Sequence, residues 1–315
     1  LANARGKEID TTDLDIDAGE ERIIQHRDLS AHVWRWTHVA KRLGTGGRYK
    51  TSNVLDIGCG CDLPLARMLY SNRFIPNDYC GVDYNPSKKF KTSMFNNGRF
   101  PLYAYGAVDF ASEKVLIRPP EMGEITDSLC LYVDGDNFEA EHTLPNVLVS
   151  FENLEHVEAG HIRRLLIKML EVMRATLRVK NEEPVAFIST PCYDAKVGAA
   201  ANHCSEVTRD ALGAVMEDLG FSILENYGTF ASIKDYRDNL LKERPELTRL
   251  YHELHAYYDV NALANFFAPI VPQWSRNNIW VVGIAKEGYE RRFPSLSSVP
   301  GPWTSSDRWR ELAGE

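Results

Sequence analysis

The run Val54-Leu55-Asp56-Ile57-Gly58-Cys59-Gly60-Cys61-Asp62, followed by Gly81-Val82-Asp83-Tyr84-Asn85, restricts this chain to a narrow set of folds. Apolar residues that break into an acid and two glycines mark a buried strand turning tightly beside a ligand. The glycines let the backbone turn sharply and let a bound group come close to the main chain. About 25 residues beyond Gly58, a second short strand ends in Asp83, where a carboxylate can accept hydrogen bonds from ribose hydroxyls. Any strand–turn–helix unit can carry two glycines. The acid before the loop, combined with the acid after the next strand, points to a nucleotide-like ligand. A nicotinamide fingerprint, Gly-x-Gly-x-x-Gly, is excluded because Leu63 stands where its third glycine would be.

The rest of the chain alternates strand and helix. Strands are expected at 53–57, 79–83, 128–133, 146–151, 185–189, 221–225 and 278–284, and helices at 63–72, 86–96, through 172–173 and at 206–219. The predicted architecture is α/β, a doubly wound, mostly parallel, seven-stranded sheet with ligands at the carboxyl ends of its strands. A polar arm over residues 1–20 leads into a helix over 20–44, with apolar positions at Ile23, Ile24, Leu29, Val33, Trp36, Val39, Ala40 and Leu43. The division expected is an arm and helix over 1–50, a core over 51–230, a helical lid over 231–272, a last core strand within 273–288 and a loose tail over 289–315. Residues 98–126 read as an insertion in the core. Within it, 102–105 and 115–117 are expected to pair as an added hairpin.

Composition sets the outer limits. The chain has 315 residues and a net charge of −8, which argues against broad adhesion to nucleic acid. No uninterrupted apolar run approaches the ~18 residues of a membrane span. Residues 1–7 have no apolar signal core, and six scattered cysteines show no disulfide-framework spacing, so a reducing cytoplasmic setting is expected.

Asp56-Ile57-Gly58-Cys59-Gly60 with Gly81-Val82-Asp83 resembles the first two cofactor motifs of class I S-adenosylmethionine-dependent methyltransferases. The resemblance implies a Rossmann-like methyltransferase fold, with the N-terminal helix over the ligand mouth and an antiparallel last strand. It implies cofactor contacts from Asp56, Gly58, Cys59, Gly60, Asp83, Tyr84, Asp136, Asn137 and Glu152. Among these, Asp136 is the acid expected to bond the adenine after the third strand, with Asp134 a competitor. Asp62 departs from the family pattern, standing where a third glycine is usual.

Directly after the fourth strand comes Phe151-Glu152-Asn153-Leu154-Glu155-His156. If a helix starts here, Glu152, Glu155 and His156 fall at i, i+3 and i+4 on one face. Two carboxylates and an imidazole there suit a divalent cation, and His203, after the fifth strand, could close the site. Glutamates in a first helical turn also complement the helix dipole without any metal. Glu-x-x-Glu-His with a later histidine resembles the metal set of small-RNA 3′-terminal 2′-O-methyltransferases, and Glu-x-x-Glu-His also that of ubiquinone-biosynthesis O-methyltransferases. The resemblance implies Glu152, Glu155, His156 and His203 as ligands, with Mg2+ or Mn2+ as the ion. Glu155, His156 and His203 are the catalytic candidates, and either histidine can serve as general base in the absence of metal. The acceptor implied is a hydroxyl on a small molecule or on an RNA end. Pro191-Cys192 resembles the nucleophile pair of cytosine-5 methyltransferases, but here it follows Glu152-Asn153 instead of preceding it, which disfavours a catalytic Cys192.

Overall fold

The computed structural model describes residues 27–44, 52–60, 63–83, 102–107, 115–118, 128–133, 140–231, 239, 241–258 and 260–315. Its strands are β1 (Asn53–Ile57), β2 (Asp78–Asp83), β3 (Leu102–Ala107), β4 (Val115–Arg118), β5 (Ser128–Val133), β6 (Ala140–Thr143), β7 (Val147–Phe151), β8 (Val185–Pro191), β9 (Phe221–Ala231) and β10 (Ser275–Ile284). The helices are α1 (Arg27–Gly44), α2 (Pro64–Ser71), α3 (Ala159–Lys180), α4 (Arg209–Leu219), α5 (Thr248–His255) and α6 (Val260–Phe267).

Seven strands form one sheet in the order β3-β2-β1-β7-β8-β10-β9. Neighbours from β3 to β8 are parallel, whereas β10 is antiparallel to both β8 and β9. Alternate residues of each strand point to opposite faces, and here both faces are apolar. Leu55, Ile57, Leu148, Ala186, Ile188, Trp280 and Val282 pack on one side with α3 and α4. Val54, Val147, Val149, Phe187, Ile279 and Val281 pack on the other with Trp36, Val39 and Leu43 of α1 and Leu65 and Leu69 of α2. A smaller cluster joins Ala31 of α1 to Tyr251, Leu263, Ala264 and Phe267 of α5 and α6.

Several sequence expectations need correction. Ser128–Val133 is not the third core strand but the middle strand of a separate antiparallel sheet, β4-β5-β6. The third core strand is β3, parallel to β2 and paired from Tyr79↔Leu102 to Asp83↔Ala107. The expected hairpin between 102–105 and 115–117 therefore does not form, because its two halves belong to different sheets. Both stretches are short apolar runs, and composition does not say which of them lies on the open edge of β2. The expected helix over 86–96 and the arm over 1–20 lie outside the described residues.

Residues 289–315 are not a loose tail. Phe293, Leu296, Trp303 and Leu312 are buried in the cluster shared with α3 and α4. The Phe293 ring fills the place where a Cβ on Gly213 would stand, 2.6 Å away. Trp303 meets Trp309 edge to face at 4.6 Å. These anchors are single apolar residues scattered through a polar, proline-containing segment, so they leave no periodic trace in the sequence. Among the described residues, no helix is long and apolar enough to cross a membrane, and Cys59, Cys80, Cys192 and Cys204 form no disulfide.

Candidate active site

The glycine loop is pinned to the end of β2. Gly58 N–H and Cys59 N–H donate to the Val82 carbonyl at 2.8 and 3.2 Å. Gly60 N–H donates to Asp83 Oδ2 at 2.9 Å. Three successive amides are thus committed to the end of β2, which leaves fewer donors for a ligand. Gly58 has φ +70, a left-handed conformation open mainly to glycine, and a Cβ there would lie 2.4 Å from Asn153 Cγ. That contact brings the turn after β7 directly against the loop.

Asp56 and Cys59 face inward. Asp56 is buried and accepts a hydrogen bond from Tyr79 Oη. Burial, opposed by the Tyr79 bond and aided by Asp83, raises its pKa to about 7. The Cys59 side chain packs toward Gly81, where a Cβ would sit 3.1 Å from Sγ. Both side chains are buried and lie against β2. Asp83 is the partly exposed carboxylate at the strand end. Tyr84, Asp136 and Asn137 lie outside the described residues, as does Asp62. With β5 removed from the core, the topological reason for an adenine acid at Asp136 goes too. In sequence, the acid following the true third strand is Asp109, two positions past Ala107. A correct strand assignment would have pointed to it.

After β7 the chain does not enter a helix at Glu152, as expected. Glu152 has φ +48, residues Leu154–His156 make a single 3-10 turn, and α3 begins only at Ala159. The helical i, i+3, i+4 argument therefore fails, although Glu152 stays close enough to Glu155 for its charge to act on it. The left-handed turn instead directs its carboxylate across the sheet end. Ser189 Oγ donates to Oε1 at 2.9 Å and Asn277 Nδ2 to Oε2 at 2.7 Å. Arg35 Nη1 of α1, a side chain 1% exposed, lies 3.4 Å from Oε1. A left-handed non-glycine residue costs roughly 1–3 kcal/mol and persists where its surroundings over-determine it.

Three of the four expected ligands do converge. One ligand atom each from Glu155, His156 and His203 lies within 4.8 Å of the others. Glu155 is buried, His203 half-buried and His156 exposed, so the group opens on the side of His156. The loop carrying His203 is fastened to Glu155, whose carbonyl accepts Cys204 N–H at 2.7 Å and Ser205 N–H at 3.1 Å. The two imidazoles meet edge to face at 5.2 Å. Burial, with Glu152 nearby, pushes Glu155 well above the ordinary carboxylate range, against the pull of His203 and of a Thr190 hydroxyl bond at 3.1 Å. A buried carboxylate facing two imidazoles is a donor set that fits a divalent cation, with Mn2+ better matched than Mg2+ because two donors are nitrogen. Cys192 is buried, accepts from Asn278 at 3.3 Å, and has its thiol raised to about 12 by burial, so it is no nucleophile.

A sheet in this order, with a glycine loop after β1 and an acid at the end of β2, defines a Rossmann-like S-adenosylmethionine-dependent methyltransferase fold. The family described as "Methyltransferase domain" matches residues 31–226, more than half of the chain, and the chain belongs to that family. No curated protein matches the sequence. Among solved structures, magnesium protoporphyrin IX methyltransferase of Synechocystis PCC 6803 with bound S-adenosylmethionine is 12% identical, with 84% of this chain and 86% of that chain covered and a TM-score of 0.44. The methyltransferase domain of a bacterial Hen1 is 15% identical over 81% of this chain and 100% of that one, with a TM-score of 0.43. An S-adenosylmethionine-dependent methyltransferase of Archaeoglobus fulgidus is 16% identical over 79% and 94%, with a TM-score of 0.40. Likenesses at this level say nothing about substrate.

Proposed function

We propose that this S-adenosylmethionine-dependent methyltransferase methylates a hydroxyl oxygen on a small molecule, assisted by a divalent cation held by Glu155, His156 and His203. The observation that carries the reading is the convergence of those three side chains around Glu155, which stands two residues beyond Asn153, the residue packed against Gly58 of the cofactor loop. A cation held there would supply Lewis acidity toward an acceptor hydroxyl, which is a poor nucleophile at neutral pH.

The chain's own groups do the rest. The glycine loop, with three amides already committed, suits the ammonium of S-adenosylmethionine better than its carboxylate, and Asp83 meets the ribose while holding Gly60. Asp109, not Asp136, is the acid placed by sequence after the third core strand. Methyl transfer is an in-line displacement in which the C–O bond forms as the C–S bond breaks and sulfur keeps the electron pair. The hydroxyl proton must leave. With both histidines engaged at the cation it passes to solvent on the open side of the group, beside the exposed His156; with no cation bound, His156 is the histidine able to accept it. The net charge of −8 favours a small acceptor over a polyanion. Free cysteines at the described positions fit the cytoplasm as the compartment.

One observation favours a second reading, an RNA 3′-terminal ribose as acceptor. Tyr257 (84% exposed) and Phe266 (62%) on the helical insertion offer faces on which bases could stack. The test is transfer of labelled methyl to extract fractions with and without chelator and ribonuclease. Chelator-sensitive, ribonuclease-resistant labelling is expected. Labelling lost to ribonuclease selects RNA, and full activity in chelator removes the metal. Glu155→Ala should keep cofactor affinity and lose metal-stimulated turnover.

A further inference from the structure

We propose that Glu206 is a positioning residue that fixes the ring of His203, and that residues 303–305 of the final segment hold Glu206 in place. Its consequence for turnover rests on the metal reading above. The geometry itself does not depend on any ion.

His203 Nδ1 lies 2.6 Å from Glu206 Oε1, and Ala200 N–H donates to the same oxygen at 3.0 Å. Oε1 already accepts the Ala200 amide, so it is an acceptor toward the ring as well; Nδ1 then carries a proton, which leaves Nε2 as the nitrogen that can ligate. A histidine that ligates a metal is commonly set in this way by an acceptor on its other nitrogen. Glu206 is 1% exposed, and among the described residues no Lys or Arg pairs with it. Its Oε2 is buried with no hydrogen-bond partner among them. His203 and the Ala200 amide are thus the partners of its side chain among the described residues, both on Oε1, and a carboxylate so sparsely satisfied needs its backbone held firmly.

The holding comes from the far end of the sequence. Glu206 N–H donates to Ser305 Oγ at 3.0 Å, and Ser305 N–H returns a bond to the Glu206 carbonyl at 2.9 Å. Thr208 N–H donates to the Trp303 carbonyl at 2.8 Å. Val207 bridges Thr304 on one side and Cys192, just past β8, on the other. Residues 303–305 therefore lie as a short strand against 206–208, which lies in turn against the end of β8. One chain of contacts runs from Ser305 through Glu206 to His203, and from there to His156 and Glu155.

Two measurements on the full chain test this. Imidazole 15N shifts of the metal-free protein should show His203 protonated at Nδ1. In Glu206→Met the ring should become a tautomer mixture, and Mn2+ affinity by calorimetry should weaken about 10- to 100-fold, with S-adenosylhomocysteine affinity changed by less than about twofold. Glu206→Gln, which keeps an acceptor, should keep the tautomer and lose less. Ser305→Ala, which leaves the carboxylate in place, should shift both readouts in the same direction to a smaller extent. An Nε2-protonated wild type, an unchanged tautomer in Glu206→Met, or unchanged Mn2+ affinity in that variant overturns the role of Glu206. No change in Ser305→Ala overturns the role of the strap. A wild type that binds no Mn2+ overturns the metal reading instead, and the tautomer measurement then decides the positioning of His203.

Discussion

Arg35 Nη1 stands 3.4 Å from Glu152 Oε1, an ion pair that ties the helix ahead of the sheet to the turn after its central strand. Arg35 also reaches Thr229 on β9 at 3.4 Å and the His32 ring on its own helix. One buried cation thus spans the carboxyl ends of β7 and β9. Arg35→Met is expected to lower stability by about 2–3 kcal/mol, the range for a buried charged hydrogen bond. Glu152→Gln should cost about 1 kcal/mol or less, since that side chain is 20% exposed and keeps Ser189 and Asn277 nearby. Urea unfolding checks the order, and equal losses would contradict it.

Gly58→Ala tests the loop. The φ of +70 costs an alanine about 1–2 kcal/mol, and the clash with Asn153 adds to it. Titration with S-adenosylhomocysteine should show at least about tenfold weaker binding, the equivalent of 1.4 kcal/mol. Asn153→Gly on the same background should recover the steric part only.

The Asp56 carboxyl provides a pH signature. Its pKa is raised to about 7 in the folded protein and returns to about 4 on unfolding. The folded state then holds more protons between those values, so this group favours folding below about pH 4 and loses that contribution as pH rises toward 7. Asp56→Asn keeps an acceptor for Tyr79 without the ionisation. It should gain on the wild type by up to about 4 kcal/mol between pH 4 and pH 8. Denaturation midpoints that move in parallel across that range would refute it.

Trp303→Ala should destabilise by about 3–5 kcal/mol, as for a large buried aromatic, since the ring is 7% exposed and lies against Trp309. It should also weaken Mn2+ binding, because the Trp303 carbonyl holds Thr208, two residues from Glu206. Thermal unfolding and calorimetry on one preparation separate the two effects.

What the sequence disclosed follows from how local each signal is. The glycine loop, the acid at Asp83 and the alternating core strands were readable because each is set by a few neighbouring residues. Glu155, His156 and His203 were found from the Glu-x-x-Glu-His spacing and its family resemblance, but their grouping depends on a 3-10 turn and on a loop bonded to the Glu155 carbonyl. Glu152 was misplaced because a left-handed turn at a non-glycine residue gives no warning in the pattern. The exchange of β3 for β5, and the packing of 289–315, were illegible for a different reason. Each depends on pairing between distant segments, which no window of sequence contains.

Placing β10 between β8 and β9 has a consequence for biosynthesis. Among the described residues, β9 has no neighbour in the sheet other than β10, and the edge of β8 away from β7 is likewise open until β10 arrives. A ribosome-bound chain that has emerged only as far as α6 therefore leaves β9 unpaired and one edge of β8 open, edges that are prone to wrong pairing. Closure waits until Ser275–Ile284 has cleared the exit tunnel and threads between strands made earlier, a non-local step that is intrinsically slow. The expected outcome is that a fragment ending before Ser275 aggregates more readily than the full chain.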